Sequence, residues 1–149
     1  MKLRTMVLTG GLGAAVLLAP TAAAAAATTS AATEDNLSLQ ISSAKLDKGN
    51  VVVRGVYSCD MPYKARFIES EAMQYQGEDN EVRGLKALWD RPCTGAKRQF
   101  QATISAGKGA KFVTAADGGS AVFVQVELTV TDQNNVWQDT LHDSVDVDV

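Results

Sequence analysis

The chain contains two cysteines, Cys59 and Cys93, and a single histidine, His142. A structural zinc site needs four ligands, usually two close pairs of Cys or His, so this set is too small. A dithiol redox site requires the spacing C-x-x-C, whereas 33 residues separate these two cysteines. A nucleophilic cysteine needs a positioned base, and no motif around His142 marks it as one. The sequence therefore predicts no metal site and no catalytic residue, and hence a protein that is not an enzyme.

Carboxylates are the remaining candidates for chemistry. Asp60 and Asp90 each lie near a cysteine, and two facing carboxylates can cleave glycosides, but their spacing gives no support for such a site. Five more aspartates crowd the C-terminal segment: Asp132, Asp139, Asp143, Asp146 and Asp148. They lack the D-x-D-x-D-G pattern of a calcium loop, and the last two alternate with valines as on a solvent-facing strand. The glycine-rich turns at 107–109 and 117–120 match no phosphate-binding motif, so no cofactor is predicted.

The N-terminal residues predict export from the cell. Lys2 and Arg4 precede an apolar stretch at 6–19 and a run of alanines at 22–27, which is the order found in a secretory signal peptide. We expect residues 1–27 to be the signal, with cleavage after Ala26 or Ala27. An uncleaved anchor is the competing interpretation, but the apolar stretch is shorter than the roughly 20 residues that span a bilayer. The sequence thus predicts a secreted, extracellular protein with no membrane attachment after cleavage.

Removal of the signal leaves 12 basic residues against 17 acidic ones, so the charge changes from −3 to about −5. Nucleic-acid binding requires clustered Lys and Arg, so no nucleic-acid partner is expected. Residues 28–35 are small and polar and predict a disordered leader. Residues 36–149 suit a single domain with one core. In an oxidising compartment the two cysteines of such a domain are expected to form a disulfide, Cys59–Cys93.

Alternating apolar and polar residues predict strands rather than helices beyond the leader. Segment 64–76 would also tolerate a helix, but its neighbours favour a strand. In segment 51–59 the odd positions share one face, which directs Cys59 toward the core. The expected strands are 37–42, 51–59, 64–76, 82–89, 98–106, 122–130 and 136–149, with a short extended piece around Phe112. Their spacing predicts an all-β, antiparallel, two-sheet immunoglobulin-like sandwich of seven to eight strands, with a small closed β-barrel as the alternative.

Several short motifs resemble one group of known proteins. The matching stretches are "VVVRGVYSC", "MQYQG", "PCTG", "KRQFQATI" and "GGSAVFVQVEL". Together they are similar to small secreted β-sandwich domains of actinobacteria, although Thr94 stands where those domains often have Asp. The resemblance implies an immunoglobulin-like fold with a Cys59–Cys93 bridge, and it implies no activity. Antitumour chromoproteins of the neocarzinostatin type are a looser comparison, since they share the sandwich but have two disulfides. Ligand carriage, which this comparison implies, is therefore only an alternative.

Three aromatic residues form the possible binding surface: Tyr63 and Trp89, which flank the cysteines, and Trp137. Exposed tryptophans can anchor a partner, but an indole packed over a disulfide is normal in immunoglobulin-like sandwiches. We favour packing for Trp89 and leave both interpretations open for Trp137. The sequence therefore predicts a structural domain or one that binds an extracellular protein or surface partner of unknown identity. The alternative is a small-ligand carrier with an apolar cleft between its sheets.

Overall fold

The computed structural model of the chain describes residues 32–34, 37–60, 62–78 and 80–149. The predicted signal peptide lies outside these residues. The described part forms seven strands of eight to twelve residues, one three-residue strand and one short 3₁₀ helix. In chain order these are β1 (Ala32–Glu34), β2 (Leu37–Asp47), β3 (Asn50–Cys59), β4 (Lys64–Tyr75), β5 (Glu81–Arg91), β6 (Arg98–Ser105), the 3₁₀ helix (Ala115–Asp117), β7 (Val122–Thr131) and β8 (Trp137–Val147).

The strands pair into two antiparallel sheets. Sheet A has the order β1-β2-β3-β6 and sheet B has the order β5-β4-β7-β8. When β1 is left out, the other seven strands have an immunoglobulin-like arrangement in which the fourth of them, β5, pairs with the third, β4. At one side of the sandwich, β5 meets β6 through the isolated bridge between Gly84 and Ala106, and the sheets do not close into a barrel. The predicted two-sheet sandwich is confirmed, and the barrel alternative is wrong.

Strand alternation fills the space between the sheets. Val51, Val53, Tyr57 and Cys59 of β3 are all buried, which confirms the face predicted for this strand. On the facing sheet, the even-numbered residues of β7 from Val122 onward point inward and are fully buried. Burial of these apolar side chains from both sheets is the main driving force for the fold.

β2 is longer than predicted because a bulge changes its register. Its pairing with β3 shifts between Ile41 and Ser43, so the period-two pattern that ended the expected strand at residue 42 resumes after one extra residue. The carboxylate of Asp143 lies beside this bulge, where Oδ2 accepts the Ile41 N–H at 2.5 Å and Oδ1 accepts the Ser144 N–H at 2.9 Å. Asp143 is only 3% exposed. This aspartate therefore ties the two sheets together at the side opposite β5 and β6.

Two other segments differ from expectation. Within the predicted disordered leader, Ala32–Glu34 forms β1, which pairs with the first residues of β2; the rest of that leader lies outside the described residues. The stretch around Phe112 is not a strand, and Phe112 instead inserts its ring into the core. Gln74 holds this loop to β4: its Nε2 donates to the carbonyls of Val113 and Ser120, and its Oε1 accepts the Val113 N–H.

Candidate functional site

The two cysteines form the predicted disulfide. Cys59 ends β3 in sheet A, and Cys93 lies just after β5, so the bond joins the two sheets where the chain crosses from sheet B back to sheet A. Both residues are buried, and no free cysteine occurs in the chain segments that the structure describes. The bond is therefore part of the architecture and offers no reactive thiol.

The loop around Cys93 is held to β3 by further contacts. The Tyr57 hydroxyl donates to the Pro92 carbonyl at 3.3 Å, and burial of this phenol raises its pKa, against the opposing effect of Arg98 and Arg91. The Gly95 N–H donates to the Cys59 carbonyl at 2.9 Å. Gly95 adopts a φ of 73°, and a Cβ at this position would collide with the Asp60 carboxylate. Only glycine fits this turn without strain.

An exposed cluster of three aromatic rings lies on sheet B. The Phe67 ring makes edge-to-face contacts with Trp89 at 5.3 Å and with Trp137 at 6.3 Å between centroids. Trp89 is 58% exposed and Trp137 is 61% exposed. The expectation that Trp89 packs over the disulfide is therefore wrong, since its indole lies at the surface against β4. We call Phe67, Trp89 and Trp137 the aromatic cluster.

Strand register brings two of these rings together, and a bulge adds the third. Phe67 lies directly opposite Trp89 of β5 on one side and Thr129 of β7 on the other. The pairing of β8 with β7 shifts so that Trp137 faces Thr131, which leaves Gln138 as an extra residue. A bulge bends the strand and redirects its side chains. This geometry allows Trp137, at the edge of the sheet, to reach the ring of Phe67.

A second irregularity flanks the same cluster. The pairing of β4 shifts between Ala65 and Phe67, so that Arg66 is the extra residue, and Asp90 of β5 adopts a left-handed φ of 51°. The Arg66 guanidinium lies over the Trp89 ring, 5.7 Å from its centroid, and 3.6 Å from the Asp90 carboxylate. Both charged side chains are exposed, so this ion pair adds little stability. Its effect is to place a polar rim beside the exposed indole.

A row of carboxylates follows the aromatic cluster along the sheet. Glu69, two residues after Phe67 on β4, lies directly opposite Glu127 of β7, which in turn lies opposite His142 of β8. Glu127 accepts a hydrogen bond from the Thr129 hydroxyl at 2.8 Å, and its other oxygen is 3.7 Å from His142 Nδ1. Like charges directly opposite on neighbouring strands repel each other. The sheet therefore presents two facing carboxylates next to the aromatic cluster.

Tyr63 is the third member of the predicted binding surface, and its position differs from that of the tryptophans. It is half-buried and packs against the hydrophobic core. Its N–H donates to the Asp60 carbonyl in the turn that leads from β3 to β4. The predicted surface is thus brought together only in part. Trp89 and Trp137 both contact Phe67, while Tyr63 packs against the hydrophobic core.

The other candidates for chemistry are dispersed. Asp60 lies against Gly95, whereas Asp90 pairs with Arg66, so these two aspartates have different neighbours. The described residues contain no group of three or more His, Cys, Asp or Glu placed to hold a metal ion. His142 Nδ1 lies 3.1 Å from the side-chain amide nitrogen of Gln125 on the exposed side of sheet B. No helix within the described ranges is long and apolar enough to cross a membrane.

A second surface feature is an open groove at the far end of the sandwich. It has a volume of about 1200 Å³ and lies between the end of β2 and the end of β8. Its apolar lining includes Leu46, Phe112, Val145 and Val147, and its rim includes lysines from both the β2–β3 turn and the loop before the 3₁₀ helix. The tryptophans do not line it.

Phe67 is the functional candidate that the sequence-based prediction missed. A signal for it exists, because Phe67 alternates with Glu69, Glu71 and Met73 on the outward side of β4, while Ile68 and Ala72 point inward. An outward aromatic ring among glutamates is not explained by core packing. The register with β5, which brings it to Trp89, cannot be obtained from β4 alone.

No model of a known protein family matches the sequence, and no curated protein matches it significantly. The fold and the bond define a class: a small all-β, two-sheet domain with one disulfide. A disulfide in such a domain is compatible with an extracellular location.

Proposed function

We propose that this chain is a secreted, non-enzymatic binding domain that uses the aromatic cluster to hold a protein partner outside the cell. The observation behind this proposal is that two tryptophans, each more than half exposed, meet on one phenylalanine at the surface of sheet B. The signal-like residues 1–27 and the disulfide support secretion. The motif resemblance supports membership in the small one-disulfide domains of actinobacteria.

The composition of the cluster favours a protein partner. Residues that dominate the energy of protein interfaces are enriched in Trp, Tyr and Arg and are surrounded by polar groups that exclude water. Trp89, Trp137 and Arg66 are of these types, and Asp90 provides part of the polar surround. The rings also meet Phe67 at 64° and 68° rather than lying coplanar. Such an uneven surface fits into a shaped partner better than it stacks on a flat one.

Binding through this cluster predicts a partner that is lost when the two indoles are removed. We would immobilise the mature chain and the variant W89A/W137A, and compare the proteins that each retains from the culture medium of the producing organism. A partner retained by the wild type alone is then purified, and we expect its affinity for the variant to be at least about tenfold lower.

Tyr75→Ala is the matched control. Tyr75 is also exposed on β4, but it lies eight residues beyond Phe67, which is about 26 Å along a strand. This variant should bind like the wild type. Equal binding by W89A/W137A and the wild type, or an equal loss in Tyr75→Ala, would contradict the proposal.

The open groove gives a second candidate function, the carriage of a small apolar ligand. Its volume of about 1200 Å³ exceeds what a drug-sized ligand needs, and its apolar lining comes from both sheets. The test is a titration with an apolar fluorescent probe such as anilinonaphthalene sulfonate. Leu46→Arg, which would place a charge in the groove, should abolish saturable binding of the probe. If the wild type does not bind the probe, this candidate function is eliminated.

A further inference from the structure

We infer that the partner presents a basic segment to sheet B, with a Lys or Arg side chain lying against Glu69 and Glu127 beside the aromatic cluster. This inference rests on the proposed binding function and adds the chemistry of the partner. It depends on three features of sheet B: the sign of its outward charges, the absence of local neutralisation at Glu69, and the contrast with sheet A.

The outward side of sheet B is strongly acidic. Strand register shows which side chains share this side with Phe67 and Trp89. The carboxylates at these strand positions are Glu69, Glu71, Glu81, Glu127 and Asp146. The basic residues at described ladder positions on this side are Lys64 and Arg83, while Arg66 at the bulge is offset by its own partner Asp90. Five ladder carboxylates therefore outnumber two ladder basic residues on the side of the sheet that carries the exposed rings.

The two basic residues of the ladder do not pair with the carboxylates nearest the rings. Lys64 Nζ donates to the Gln133 carbonyl. Arg83 pairs with Glu71 and Glu81, further along the sheet. Glu69 has no hydrogen-bond or ion-pair partner among the described residues. It also faces Glu127 directly, and this repulsion would be relieved by a cation placed between the two carboxylates. The two facing carboxylates therefore favour a positive group, and no described Lys or Arg pairs with them.

The opposite surface of the sandwich shows that this acidity is local. The outward strand positions of sheet A carry Lys45, Arg54 and Asp47 as their charged residues in the described segments, and no ring cluster. A basic partner would thus be attracted to sheet B and repelled weakly by sheet A. Complementary charge of this kind raises the association rate and sets the orientation of binding.

Aromatic rings and carboxylates act together on a cation. A Lys or Arg side chain over the face of an indole gains the attraction of the ring quadrupole, and its charge pairs with a neighbouring carboxylate. Arg66 already makes this contact with Trp89 from within the chain. A partner's cation would use the remaining indole, Trp137, or the open side of Trp89, with Glu69 within the same short stretch of sheet.

The experiment uses three synthetic decapeptides of the same length, one rich in Lys and Arg, one neutral and one rich in Glu. Binding to the mature, isotope-labelled chain is measured by NMR titration. We expect shifts from the basic peptide to concentrate on outward residues of sheet B, including both indole N–H signals. We expect the affinity of the chain for the basic peptide to fall about tenfold in E69Q/E127Q and to fall with added salt.

Asp47→Asn is the matched control, because it removes one negative charge from the outward side of sheet A. It should leave the affinity for the basic peptide unchanged, and E69K/E127K should lose that peptide and bind the acidic one instead. Shifts spread evenly over both sheets, or an equal effect of Asp47→Asn, would overturn the inference. If the natural partner is lost with W89A/W137A but retained by E69Q/E127Q, the binding function stands and the basic partner does not.

Discussion

Removal of the Cys59–Cys93 bond should lower the free energy of unfolding by about 3.8 kcal/mol. The bond closes a loop of about 35 residues, and in the chain-entropy model a loop of this length restricts the unfolded chain by that amount at 25 °C. A typical domain is stable by about 5 to 15 kcal/mol. We therefore expect the reduced protein to be folded but close to its limit of stability.

The folded structure should change little when the bond is broken. The Tyr57 hydroxyl still donates to Pro92, and the Gly95 N–H still donates to the Cys59 carbonyl, so the loop remains against β3. The effect of the bond thus resides in the unfolded state. Since an unfolded chain without the cross-link is more extended, the dependence of stability on urea concentration, the m-value, should increase.

The assay is urea unfolding of three samples, followed by tryptophan fluorescence. The bond is buried, so the reduced sample is prepared by reduction in denaturant and refolding with the reductant present. The variant C59A/C93A is the third sample, and it should lose about 1 kcal/mol more for each buried sulfur, taken as similar to a methylene group. Near-ultraviolet circular dichroism checks that each sample is folded before unfolding begins.

A reduced protein that loses less than about 1 kcal/mol with an unchanged m-value would contradict this entropic role of the bond. That result would mean that the segment between the cysteines stays compact in the unfolded state without a covalent link. A large loss of stability with altered circular dichroism would instead place the effect in the folded state, against the hydrogen bonds that hold the loop.

Three further changes test other parts of the fold. Ser70→Ala should stabilise the protein by about 1 kcal/mol in urea unfolding, because the buried Ser70 hydroxyl has no partner within the described structure; a loss of stability would contradict this. Gly55→Ala should destabilise by about 1 to 3 kcal/mol, since a Cβ there would collide with the Phe100 ring and the Gln40 carbonyl, and an unchanged midpoint would refute the close approach. Hydrogen bonds from Arg83 and the Tyr75 hydroxyl lower the pKa of Glu81. The ion pair with Arg83 therefore stabilises the fold at pH values above the ordinary glutamate pKa, and this stabilisation is lost as the pH falls through the lowered pKa. NMR titration of Arg83→Gln should show a higher Glu81 pKa, and an unchanged pKa would exclude the ion pair.

Strand positions and core faces were predictable from sequence because they depend on local alternation. Cys59 lies on the buried side of β3, as its odd position in the alternation predicts. The alternating valines of β7 likewise predict its buried face. The bulge after Ile41 was not predictable, because it depends on a carboxylate 102 residues away in Asp143. Alternation in β8 places Asp143 on the buried side. A carboxylate there is explained only by the bulge in β2, where it accepts the Ile41 N–H.

The candidate site was harder to predict because it depends on pairing between strands. The tryptophans stood out by residue type, but their environment was misjudged for Trp89, which analogy with immunoglobulin-like domains placed over the disulfide. In those domains the bond joins the two sheets through strands in the core, whereas here Cys93 lies in the loop after β5. The indole four residues earlier is therefore on an outward strand position and cannot cover the bond.

The strand irregularities around the aromatic cluster support the proposed binding role. The bulges at Arg66 and Gln138 and the left-handed Asp90 all flank Phe67 and its two tryptophans. The left-handed conformation of Asp90 costs stability, and each bulge leaves one residue unpaired in the ladder. None of these features is needed to bury Ile68 or Leu128, which face the core in regular register nearby. Selection for the fold alone would favour regular strands and polar side chains at these outward positions. Irregular strands that bring three rings together at the surface are instead expected where a partner covers the rings, and the W89A/W137A variant tests this directly.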